Sequence, residues 1–159
     1  MKNYIKTFSL LLLTISSVSL TTSCKGKKMD TPEKVFGLTS YYEIMLEGSN
    51  SNHVSQEIII ADHEEAMQEL MGEINSTRKP GLKIPSINFK KEVLIFAYGG
   101  QQSTGGYAVD VTEVRNEDDL LHFNFDLIKP QGEMVTMSIT TPFKIIKVKR
   151  DDKKITASF

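Results

Sequence analysis

The chain has 159 residues, long enough for one domain with its own core, and 40% apolar with 25% charged residues is ordinary globular composition. A formal net charge of -1 leaves no basic excess to hold nucleic acid. Its 1 cysteine excludes an intrachain disulfide.

Residues 1–23 read as a secretory signal. Lys2 and Lys6 make a positive start, and Phe8 to Leu20 is an apolar, hydroxyl-rich run. That run is short of the roughly 20 residues a spanning helix needs. Thr21, Thr22 and Ser23 are small and lead into Cys24. This junction resembles a bacterial lipoprotein box, with Leu20 one place further back than usual. The resemblance implies that Cys24 is acylated and becomes the first residue of the mature chain. Two acyl chains hold a protein on a bilayer where one would be marginal. Lys25, Lys27 and Lys28 would add attraction to anionic head groups. Loss of Lys2 and Lys6 moves the net charge from -1 to -3. Residues 24–38, with lysines, Gly26, Pro32 and Gly37 and no sustained period, read as a tether. The expected location is the cell envelope, lipid-anchored at the outer membrane or its periplasmic face, with residues 39–159 forming a single domain.

Along that domain, Thr39–Glu47 and Val54–Ala61 read as strands. The turn formers from Gly48 to Asn52 between them predict a hairpin. Asp62–Ile74 is the one convincing helix. Asp62 is placed to cap it with Glu65 three residues on, and Ala66, Met67, Leu70, Met71 and Ile74 fall on one stripe at helical spacing. Phe89–Tyr98 carries the continuous apolar run Val93 to Ala97, which fits a central strand buried on two faces. Strands follow at Tyr107–Val114, Leu120–Ile128, Met134–Thr140, Phe143–Val148 and Lys154–Phe159. In the fifth of these eight, Leu121, Phe123, Phe125 and Leu127 face one way. Two strands, one helix and then about six strands predict an α+β domain, mostly antiparallel β, either sandwich-like or a partly closed barrel.

No catalytic constellation emerges. His53, His63 and His122 are far apart in sequence, and no zinc or calcium spacing is present. Ser76 to Lys79 matches Ser-x-x-Lys, but its usual partner motifs are missing. Glu43, Glu57, Glu92, Asp110 and Asp126 read as the solvent-facing partners of alternating strands. No metal, cofactor or small-molecule substrate is implied. The stretch Gly99–Tyr107 holds 4 of the chain's 10 glycines. It lacks the lysine and the following helix of a phosphate-binding loop, so it reads as a strand-to-strand connection that leaves Tyr107 at a defined junction.

Five motifs in this order resemble the C-terminal domain of the protease-complex subunit PrcB family. They are PSINF (85–89), VLIFAYG (93–99), STGGY (103–107), PQGEMVT (130–136) and TPFKIIKVKR (141–150), a block from residue 85 to 150. The resemblance implies a non-enzymatic envelope protein, often a lipoprotein, whose founding member associates with and stabilises a surface protease. The implied partner is therefore another envelope protein, a protease foremost. A second resemblance is to chagasin-like inhibitors of cysteine proteases, carried by Ser103 to Tyr107 and by Thr141-Pro142-Phe143. It implies loop-mediated inhibition on a sandwich. A third reading is a structural envelope lipoprotein with no dedicated ligand. Under either binding reading the docking residues are Thr104, Gly105, Gly106, Tyr107, Pro142 and Phe143. The competing assignment for Tyr107 and Phe143 is the core.

Overall fold

The computed structural model describes residues 40–84, 86–132 and 136–159, all within the compact unit Val35–Phe159. Cys24, the signal and the tether lie outside the described residues, as do Pro85 and residues 133–135. Among the described residues seven strands and one helix follow in the order β1 (Tyr42–Gly48), β2 (Gln56–Ala61), α1 (Glu64–Asn75), β3 (Glu92–Gly99), β4 (Ala108–Asn116), β5 (Leu120–Ile128), β6 (Phe143–Lys149) and β7 (Lys154–Ser158).

The strands form two separate sheets. One has four strands in the order β1-β6-β3-β2, all antiparallel. The other has three in the order β4-β5-β7, where β4 and β5 are an antiparallel hairpin and β5 and β7 run parallel. The two sheets pack as a sandwich, and no closed barrel forms among the described residues.

The four-stranded sheet is covered on both faces, which explains the unbroken apolar run of β3. Leu94, Phe96 and Tyr98 of β3 join Phe143 and Ile145 of β6 in a core beneath α1, whose Met67, Leu70, Met71 and Ile74 pack down on them. Val93, Ile95 and Ala97 point the other way. There they meet Ile146 and Val148 of β6 and the second sheet's Val109, Val111, Leu121, Phe123 and Phe125. A strand alternates its side chains between faces, so only a strand packed on both sides is apolar at every position. β5 has just one packed face and alternates accordingly, with Leu121, Phe123 and Phe125 buried and Leu127 half-buried.

Three features differ from the sequence expectation. β1 and β2 are not a hairpin; they occupy opposite edges of the four-stranded sheet. The turn residues between them instead run beside the segment that enters β6, where Asn50 bridges to Thr141. The helix starts at Glu64 after an extended His63, with no side-chain cap. Asp62 is not the cap because its carboxylate bonds the His63 ring at 2.7 Å. Finally, residues 136–139 are not a strand. Their apolar–polar alternation is strand-like, but among the described residues of this stretch only the isolated bridge between Gln102 and Thr140 forms, and residues 134 and 135 of the expected strand lie outside them.

Candidate functional site

β3 and β6 lie side by side at the centre of the sheet, with Tyr98 opposite Phe143. The end of one strand and the start of the other therefore leave the sheet together, and the two sequence-predicted loops are brought into contact. The Gly99 N–H donates to the Pro142 carbonyl at 2.8 Å. Gln102 and Thr140 exchange both backbone bonds, at 2.7 and 3.0 Å. The Thr140 hydroxyl donates to the Thr104 carbonyl at 2.9 Å, and the Gly105 N–H to the Thr136 carbonyl at 2.9 Å.

Two glycines set the path of this connection. Gly100 turns the chain out of β3 at φ +68, and a Cβ there would sit 2.9 Å from the Gln56 backbone nitrogen. Gly106 turns it back at φ +87, where a Cβ would press on Pro130 at 2.7 Å. Left-handed backbone of this kind suits glycine and strains other residues. The amides of Gln101, Gln102 and Gly105 all donate to backbone carbonyls of Val54, Thr140 and Thr136. They are thus spent inside the protein, and no anion-cradling nest of these groups is left.

The loops also reach the helix side. The Thr141 hydroxyl accepts from the Ser51 N–H at 2.8 Å and the Asn52 N–H at 3.1 Å. Asn52, in left-handed backbone at φ 65, donates through its amide to the carbonyls of Glu73 and Ile74 at the end of α1. Arg78, within the Ser-x-x-Lys match, bonds the carbonyls of Ile74 and Asn50 and lies over the Phe143 ring. That motif is a tie between helix and loop.

The six candidate docking residues divide. Phe143 is 1% exposed and packs in the core under α1, and Pro142 is also fully buried. Neither presents surface to a partner. Gly105 is buried, Thr104 and Tyr107 are half-buried, and Gly106 is exposed. The large exposed apolar groups of this end are others: Met137 at 91%, Val54 at 65% and Ile139 at 64%. Val54 is tied to the loop through its carbonyl, which accepts from Gln101 at 3.0 Å. Period-two alternation hid Met137 and Ile139, because the same pattern marks the buried face of a strand.

The strand carboxylates are more engaged than their solvent-facing pattern predicts. Lys144, 5% exposed, is held by Glu47 at 2.8 Å and Asp110 at 2.9 Å. Lys147 binds Glu43 at 2.8 Å and reaches Glu92 at 3.5 Å. Glu57 on β2 and Glu73 on α1 take the two ring nitrogens of His53, at 3.0 and 2.9 Å. His122 instead joins Thr156, Asn124 and Ser158. No group of three or more histidine, cysteine, aspartate or glutamate side chains suited to a metal ion exists among the described residues.

No curated protein and no solved structure matches the chain. A family match does exist, and it falls on the part just described. It begins at the second residue of β3, ends at the last residue of β6, and takes in both loops and the β4–β5 hairpin between them. Residues 93–149 match the family described as PrcB C-terminal.

Proposed function

We propose that the protein is a lipid-anchored, non-enzymatic accessory protein of the cell envelope, and that it associates with a protease through the loop end of its central sheet. The match to the family described as PrcB C-terminal carries this reading, because it spans both loops and the two strands that hold them. The direction of the strands supports it. Tyr42 at the start of β1 lies opposite Val148 at the end of β6, whereas Gly48 lies opposite Phe143. β1 therefore begins at the end of the sheet away from the loops. Loops held by a rigid sheet and carrying exposed Met137, Ile139 and Val54 suit recognition of another protein. The inhibitor reading fares less well, since it needs an exposed loop aromatic and Phe143 is buried.

The test is photo-cross-linking from position 137 in envelope extracts, alongside a Met137→Asp/Ile139→Asp variant. The expected result is a cross-link to a protease whose level falls when this protein is deleted. The variant should lose that cross-link with an unchanged melting temperature. A protein that cross-links to no protease, and whose deletion leaves envelope proteases at normal levels, refutes the association. Cys24→Ala should abolish fatty-acid labelling; a wild-type chain that takes up no label refutes the anchor.

A further inference from the structure

Each sheet ends in two edge strands, and three of the four carry devices that discourage a further strand. β1 has a register shift between Ile44 and Leu46, and β4 has one between Val111 and Glu113. β7 has only 5 residues and opens on Lys154. Bulges, short length and edge lysines are the usual ways of blunting an edge. β2 has none of them. Its 6 residues, Gln56 to Ala61, pair with β3 in unbroken register and contain no proline, no lysine and three consecutive isoleucines. Among the described residues no strand pairs with its outer side.

The space beside β2 is also shaped. Ile58 packs on the core between the sheets, and Ile60, two residues on along the same face of the strand, is 37% exposed. Next to it an open cleft of about 320 Å³ is lined by Ile60, Val93 and Ile155, with Asp62, Arg150, Asp151 and Lys153 around the rim. Its apolar lining comes from β2 and β3 of one sheet and β7 of the other. A strand added to β2 would point alternate side chains into it.

Charge selects the occupant. Glu57 near the start of the edge and Asp62 just past its end are both more than half or about half exposed, at 50% and 58%. Glu64 and Glu65 follow at the start of α1. Antiparallel self-pairing would lay the Glu57 end of one copy along the Asp62 end of the other, acid beside acid. On the cleft rim Arg150 and Lys153 balance Asp62 and Asp151, so the excess charge along the edge comes from Glu57, Glu64 and Glu65, and a segment with an apolar, β-branched centre and basic ends complements it.

We propose that the outer edge of β2 and the cleft beside Ile60 receive an extended polypeptide segment with basic ends, which adds a fifth strand to the four-stranded sheet. The site lies along a sheet edge and does not depend on the loop-end association.

Amide hydrogen exchange of the full chain tests this with two synthetic peptides of alternating valine and threonine, one ending in lysine and one in glutamate. The lysine-ended peptide should slow exchange across Ile58 to Ala61 in a saturable way. The glutamate-ended peptide should bind on the order of tenfold more weakly. Ile60→Lys should abolish the slowing while the melting temperature holds; should that variant fail to fold, Ile60→Thr should weaken it. Slowing confined to β1, β4 or β7, equal binding of the two peptides, or no slowing up to the peptide's solubility limit would overturn the proposal. So would concentration-dependent slowing at β2 without peptide, which would make a second copy the occupant.

Discussion

Among the described residues Tyr98 has the largest fully buried side chain, and its hydroxyl has no hydrogen-bond partner there. The ring is well used: His53 stacks on it at 4.4 Å between centroids, and it packs in the core beneath α1. A buried hydroxyl that bonds nothing costs about 1–3 kcal/mol in lost hydration. Removing it while keeping the ring should relieve that cost. Tyr98→Phe is expected to raise the unfolding free energy by about 1 kcal/mol, measured by urea denaturation at neutral pH. A loss of stability would mean that the hydroxyl is satisfied in solution.

At the scale of elements, Thr141 ties three segments that are far apart in sequence. Its hydroxyl accepts two backbone N–H groups, and its own backbone bonds Ser49 and Ser51. Ser51 is completely buried. Thr141→Val keeps the shape but leaves the Asn52 N–H without its acceptor. It is expected to cost on the order of 1–2 kcal/mol, less than a full core truncation because Ser51 retains the Thr141 carbonyl. A Thr141→Val melting curve superimposable on wild type would show that the tie carries no stability. The same tie explains which elements were legible in the sequence. β3 was readable because burial on both faces forces apolar residues at every position, and β5 because burial on one face forces alternation. The β1–β2 hairpin was misread because Gly48 to Asn52 serve a turn and a long-range staple equally well. Nothing local to those residues names Thr141 as their partner. The pairing of the two loops followed from strand order, which no single segment encodes. Phe143 was legible as a core candidate, whereas exposed Met137 and Ile139 carried the period of a buried strand.

For the whole molecule, the buried ionisable groups set the pH range of stability. Burial raises the Tyr98 phenol above its ordinary value, with the Glu73 and Glu57 charges adding to the effect. Burial alone would lower the Lys144 ammonium, but its hydrogen bonds to Glu47 and Asp110 outweigh that and hold it above the usual lysine value. Both groups keep their proton longer when folded than when unfolded. Their contribution is therefore complete below the unfolded values near 10, and it is lost as pH rises through the folded ones. On the acid side, the His63 hydrogen bond lowers Asp62, and the Arg115 hydrogen bond lowers Glu113. Stability from these two is present above about pH 4 and lost below, but both carboxylates face solvent and add little. The urea midpoint should accordingly hold steady from about pH 5 to 9 and fall steeply beyond about pH 10. Tyr98→Phe isolates one alkaline contribution, because it removes this phenol and leaves in place Lys144, Lys147, raised by its Glu43 hydrogen bond, and Tyr42, raised by burial. Its midpoint should fall less steeply than wild type above pH 10, so that the gap between the two proteins widens with pH. Parallel alkaline limbs would mean that Tyr98 ionises alike in the folded and unfolded chains, and that Lys144, Lys147 and Tyr42 set the limit without it.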